Sequence, residues 1–200
     1  MTKEIVIGDK KVTQCSIGKN NDLVFIGGPC AIETRDHTFF MADKIQKICN
    51  KLKIKFVFKA CYDKDCRSSP SSFHGVGRHE GLNILNEVRE KFQIPVTSDF
   101  SDPSWGKETG QVCDLVQIPA YLCRQTSILR AAAETKKPIN IKKGQFMSPW
   151  NMKNSVRKLE KFGCNEIILT DRGTFFGYNQ LVNDMTAFPI MRKIGYPVCF

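Results

Sequence analysis

The sequence is poor in histidine, with three residues in 200, and in tryptophan, with two. His37, His74 and His79 lack zinc-ligand spacing with Cys30, so the residues themselves define no metal site. There is no glycine-rich dinucleotide fingerprint: Gly27-Gly28-Pro29-Cys30 does not match it, which counts against an open doubly wound sheet. No apolar run is long enough to cross a membrane. The opening MTKEIVIGDK lacks the apolar core of a signal peptide. The nine cysteines are odd in number and form no short-loop disulfide framework. Cys49, Cys113, Cys164 and Cys199 sit in apolar segments, where cysteine acts as a small hydrophobe. The expected compartment is reducing, hence cytoplasmic. Lysine and arginine exceed acids by 30 to 20, a net charge of +10. They are spread along the chain without aromatic stacking motifs, so no nucleic-acid partner is expected. Solvated helix faces and an anion pocket account for the excess.

Apolar residues make up 42% of the chain, enough for a packed core. Apolar strands alternate with helical periodicity throughout. Ile5–Val12 is predicted to form a β-hairpin turning at Gly8-Asp9. Strands are predicted at Leu23–Ile26, Phe56–Lys59, Ile94–Ser98, Leu115–Ile118, Pro138–Ile141, Glu166–Thr170 and from Pro197. Helices are predicted at Thr38–Leu52, around Leu85, Val88 and Phe92, at Pro103–Gln111, Ser127–Glu134, around Met152, Val156 and Leu159, and over Leu181–Lys193. The first of these would bury Met41, Ile45, Ile48 and Leu52, and Pro189 should kink or end the last. Ser68–Arg78 is predicted loop. Short strands apolar on both faces indicate parallel β in α/β units. The expected fold is a (β/α)8 TIM-barrel type with an N-terminal hairpin over residues 1–14 and barrel units over 22–200. Six complete units and part of a seventh strand are counted, against about 250 residues for a closed barrel. The barrel is therefore expected to be incomplete at its C-terminus, the chain stopping on the apolar Val198-Cys199-Phe200.

Three strand ends deliver cations. Phe56–Lys59 leads into Lys64 and Arg67, Ile139–Ile141 into Lys142-Lys143-Gly144-Gln145, and Ile167–Leu169 into Asp171-Arg172. Such strand ends hold anionic ligands in α/β proteins. A solvated loop paired with Asp63 and Asp65 is the alternative for the first. Strand alternation lets one of the two lysines face inward, and Lys142 is expected to be that one. Asp99, Gln117 and Arg124 follow strands in the same way. Asp99 could take a proton or bind sugar hydroxyls, or serve as a cap or charge partner. Cys30 on its own reads as a buried hydrophobe.

The stretches Gly27–Glu33, Phe56–Ser69, Gln117–Thr126, Ile139–Phe146 and Thr170–Asp184 together resemble the 3-deoxy-D-manno-octulosonate 8-phosphate synthases. That resemblance implies an (α/β)8 barrel, usually tetrameric. It implies condensation of phosphoenolpyruvate with arabinose 5-phosphate, releasing phosphate, on the route to the inner sugar of lipopolysaccharide. Carried over by motif, Lys59, Lys64, Gln117, Lys142, Gln145 and Arg172 would hold phosphoenolpyruvate. Arg67 and Ser68 would hold the sugar phosphate, with Arg124 supplied by a neighbouring subunit, and Asp99 would lie near the reacting carbons. Lys64, Asp99 and Lys142 are the implied catalytic residues. Cysteine in the Gly-Pro-Cys motif implies the metal-dependent group, with Cys30 as a ligand for a divalent ion of the Zn, Fe or Mn class.

The sequence departs from that pattern where Lys64-Asp65-Cys66-Arg67 stands for Lys-Ala-Asn-Arg and where Ser127 stands for Asp. The family's His, Glu and Asp metal ligands fall beyond residue 200, so little or no synthase activity is expected of this chain alone. Two alternatives remain: 3-deoxy-D-arabino-heptulosonate 7-phosphate synthase, faintly suggested by Arg67-Ser68-Ser69-Pro70, and a non-catalytic phosphate-binding remnant.

Overall fold

The computed structural model describes residues 2–175 and 177–200. Seven parallel strands form one sheet: β3 (Val24–Gly27), β4 (Lys55–Lys59), β5 (Val96–Asp99), β6 (Leu115–Ile118), β7 (Ile139–Lys142), β8 (Ile167–Thr170) and β11 (Val198–Cys199). Their order in space is their order in sequence. Between them lie α1 (Arg35–Leu52), α2 (Arg78–Phe92), α3 (Gly106–Val112), α4 (Thr126–Glu134), α5 (Met152–Lys161) and α6 (Ala187–Arg192). The sheet is curled, as in a partial (β/α)8 barrel. Both edge strands, at Val24–Ile26 and Val198–Cys199, line one groove of about 480 Å³.

The N-terminal hairpin fills the lower end of the curl. β1 (Ile5–Ile7) pairs antiparallel with β2 (Cys15–Ile17). The predicted partner, Lys10–Val12, instead lies in the connection, because the inward pair Ile5 and Ile7 needs an equally apolar strand opposite. Ile5, Ile7 and Cys15 pack with Val57, Leu115 and Ile168, which project inward from three sheet strands. A larger outer cluster joins the other strand faces to the helices. The hairpin is also tied to both sides of the sheet: Thr13 N–H donates to Gln93 O at 2.9 Å, and Lys3 N–H to Gly195 O at 3.0 Å.

Two helices differ from their prediction. α1 starts at the cap residue Thr34, whose Oγ1 accepts from His37 N–H at 3.1 Å. It buries Thr38, Ala42 and Cys49, with Met41 and Ile45 at the margin, while Ile48 and Leu52 are exposed. Small residues let the helix lie closer to the sheet than a row of Ile and Leu would. The predicted helix Leu181–Lys193 divides in two. Leu181–Val182 is β10, paired with β9 (Thr174–Phe175), and only Ala187–Arg192 is helical. Pro189 is the third residue of that helix. First-turn amides have no intrahelical acceptor, so proline loses nothing there and does not break the helix.

All nine cysteines are free thiols, six of them buried. Among the described residues no helix is long and apolar enough to cross a membrane. One buried ion pair locks α2 to the sheet. Arg89 Nε and a terminal nitrogen donate to Asp114 at 2.9 and 2.8 Å, and Asp114 also accepts Val96 N–H at 3.0 Å. The same guanidinium reaches Asp9 of the hairpin connection at 2.8 Å. Removing one partner strands a buried charge. Asp114→Asn is therefore expected to cost about 3 kcal/mol in urea unfolding, and Asp9→Asn, whose side chain is half exposed, less than about 1 kcal/mol.

Candidate functional site

Alternation along the strands sorts the interior. The pairings Lys59↔Thr97, Asp99↔Gln117, Gln117↔Asn140 and Lys142↔Thr170 put these side chains on one face, above the apolar layer that meets the hairpin. The C-terminal ends of five neighbouring strands therefore line a polar chamber.

At its centre is Asp99, a carboxylate almost without solvent exposure. Lys142 Nζ lies 3.4 Å from Asp99 Oδ2, and Lys64 Nζ lies 3.8 Å from Oδ1. Lys59 Nζ donates to Cys61 Sγ at 3.0 Å, and Lys64 Nζ donates to the same sulfur at 2.8 Å. Burial would push the Asp99 carboxyl up, but the ammonium groups of Lys59, Lys142 and Lys64 outweigh it and hold the carboxyl well below the usual range. Burial also works against Lys59 and Lys64, yet Cys61 and Asp99 raise both. Lys142 goes the other way: burial pulls it down despite Asp99, with Lys59 and Lys64 adding to the effect. Burial, then Asp99, raises the Cys61 thiol, while Lys59 and Lys64 work the other way. Three ammonium groups around one carboxylate leave a net positive chamber, suited to a ligand with more than one negative charge.

Further polar groups turn toward it. Gln117, Gln145 and Thr97 are buried, and among the described residues neither glutamine Oε1 nor Thr97 Oγ1 has a hydrogen-bond partner. A cavity of about 150 Å³ opens beside Lys64 and Asp99, walled by Tyr62, Trp105 and Tyr121. Gly28 allows the loop after β3 to cross this end of the sheet. A Cβ there would meet Lys59 O at 2.0 Å, with φ at +151°.

The other sequence-derived candidates are less tightly gathered. Arg172 is exposed at the end of β8, without an ion pair among the described residues. Arg67 and Ser68 are exposed in the loop after β4. Arg124 lines a different cleft, of about 300 Å³, with Phe146, Asn151 and Lys158. Cys30 is exposed, not buried as its sequence alone suggested. Among the described residues no three His, Cys, Asp or Glu side chains converge as metal ligands, so Cys30 has no companions here. Phe176, within the matched stretch Thr170–Asp184, lies outside the described residues.

Sequence reasoning missed Cys61 and Lys143. Cys61 lies two residues beyond inward-facing Lys59, and that spacing was its only signal. Lys143 points away from the chamber yet is buried, its side chain only 1% exposed.

The model of the DAHP synthetase I family matches residues 4–200. The 2-dehydro-3-deoxyphosphooctonate aldolase of Geotalea uraniireducens is 49% identical over 200 residues, covering all of this chain and 72% of that protein. The protein of the same name from Geobacter sulfurreducens is 48% identical over the same coverage. That from Rickettsia prowazekii is 46% identical over 190 residues, 95% of this chain and 69% of that protein.

Asp99 is the counter-ion that the lysines share. Its carboxyl is depressed on folding, so its contribution is complete above the unfolded carboxyl value of about 4 and fades as pH falls below that. Asp99→Asn is expected to lose about 3 kcal/mol at pH 7. Urea midpoints should show this deficit holding down to about pH 4 and shrinking below it. Added inorganic phosphate should restore more of the midpoint in the variant than in the parent.

Proposed function

Because the chain belongs to the DAHP synthetase I family, we propose that it is a synthase joining phosphoenolpyruvate to D-arabinose 5-phosphate. The products are 3-deoxy-D-manno-octulosonate 8-phosphate, an inner-core sugar precursor of lipopolysaccharide, and inorganic phosphate. One observation carries this reading: Lys59, Lys64 and Lys142 gather around Asp99 at the C-terminal ends of parallel strands. Phosphoenolpyruvate carries a carboxylate and a phosphate, and such a cradle fits both.

In this reading Lys59, Lys64, Lys142 and Arg172 neutralise the two anionic groups, and the free amide oxygens of Gln117 and Gln145 orient bound water or hydroxyl. The enol C3 bonds to the aldehyde carbon of the sugar while its carbonyl oxygen becomes an alkoxide. Lys142, with its lowered affinity for a proton, is suited to donate one to that oxygen. Positive charge develops at C2 as the C–C bond forms, and Asp99 lies near enough to Lys142 to steady it. Water adds its oxygen at C2 and returns one proton to Lys142. The C2–O bond to the phosphate then breaks, the phosphate leaving with the electron pair and the remaining hydroxyl proton, and C2 becomes the ketone carbon.

Arg67 and Ser68 take the sugar phosphate. Arg124, on its separate cleft, serves a neighbouring copy, so the working form is a homo-oligomer. Nine free thiols support a cytoplasmic setting. A metal role for Cys30 rests on the resemblance alone. The described residues supply no set of ligands to go with it, and no step above passes through an ion.

The test is titration of the protein with phosphoenolpyruvate, followed by an assay for released phosphate with arabinose 5-phosphate or erythrose 4-phosphate, with chelator or added divalent ion. Saturable binding and release specific to arabinose 5-phosphate are expected. The same assay measures how far this chain turns over unaided. Lys142→Ala is expected to lower turnover by roughly 100-fold or more. Absence of phosphoenolpyruvate binding would remove the reading, and release with the four-carbon sugar would move it to the heptulosonate synthases.

A further inference from the structure

Lys143 stands out because a lysine so enclosed costs several kcal/mol unless its charge is used. Its ammonium donates to Gly173 O at 2.8 Å. Gly144 O, Met147 O and Thr174 Oγ1 lie at 3.3, 3.4 and 3.3 Å, and Asp171 Oδ1 at 3.5 Å. Three hydrogens are thus shared among four hydrogen-bond acceptors, with the Asp171 carboxylate alongside as counter-ion, leaving none for a ligand. The acceptors come from two loops, one following β7 and the other following β8.

These two loops carry Gln145 and Arg172. The Arg172 backbone is bracketed on both sides. Asp171 N–H donates to Cys199 O at 2.9 Å, Gly173 N–H donates to the Asp171 carboxylate at 3.0 Å, and Gly173 O is held by Lys143. The Gln145 backbone is fixed by Phe175 N–H, donating to its carbonyl at 3.2 Å. Arg172 therefore presents an exposed guanidinium on a turn whose main chain has little freedom. Gln145 brings a buried side-chain amide from the facing loop, and its NH2 can donate to an anion.

We propose that Lys143 is a positioning residue that clamps the loops after β7 and β8 together, so that Gln145 and Arg172 meet the same substrate anion. This rests on the phosphoenolpyruvate reading above and adds to it a residue that never touches the substrate.

The experiment is phosphoenolpyruvate titration of the parent protein, Lys143→Met, an Arg172→Ala/Gln145→Ala double variant, and the triple variant. Lys143→Met is expected to bind roughly tenfold to a hundredfold more weakly, the effect of misplacing charge-assisted hydrogen bonds. In the background lacking Arg172 and Gln145 the same substitution should change binding by less than about twofold, because its targets are gone. A purely structural role would lower the urea midpoint and leave binding by the folded variant at the parental level, or weaken it equally in both backgrounds. Either result overturns the proposal. Should Lys143→Met not fold, Asp171→Asn, which keeps the volume of the pair, carries the same two outcomes. A parent protein that fails to bind phosphoenolpyruvate overturns the functional reading. A parent that binds while Lys143→Met binds equally overturns the clamp alone.

Discussion

The architecture of the mouth of the sheet depends on one carboxylate. Without Asp99, three ammonium groups from β4, the following loop and β7 would face one another in a space that water enters poorly. Mutual repulsion in a medium of reduced dielectric would turn them apart or strip their protons. With Asp99 in place the lysines stay near one another and the chamber remains net positive. Stability and ligand attraction are thus set by the same arithmetic of charge. Enough anion is built in to keep the cations together, and too little to satisfy them.

The lower end of the sheet solves a different problem. Inward-facing Val57, Leu115 and Ile168 would line an open-ended tube were the hairpin not inserted beneath them. The hairpin closes that end with its own isoleucines, leaving polar side chains to occupy the end that solvent and ligand reach. The division of the interior into an oily half and a charged half follows from strand alternation plus this plug.

Much of this was legible in the residues. Asp99 and Gln117 were picked out as following strands, and both prove to lie within the last residues of β5 and β6, paired side by side. Lys142 followed from strand parity. What stayed hidden depended on contacts distant in sequence. The hairpin partner was misplaced because Lys10–Val12 and Cys15–Ile17 both follow a turn, and only packing against the sheet chooses between them. Pro189 misled because a helix start and a helix interior look alike without the cap. Lys143 resembled an ordinary exposed neighbour of Lys142, its burial being created by two loops closing over it. Cys61 carried no charge and no motif, although it bridges two of the lysines. Arg124 could be placed after its strand but not in its separate cleft.

The bond from Lys3 to Gly195 joins residues near opposite ends of the sequence. Closing so long a loop brings little reward until every strand between has taken its place. The hairpin is synthesised before the sheet strands whose inward side chains it packs against. Until Val57, Leu115 and Ile168 are all in place its isoleucines wait uncovered, so an early segment is one that needs shielding from other chains.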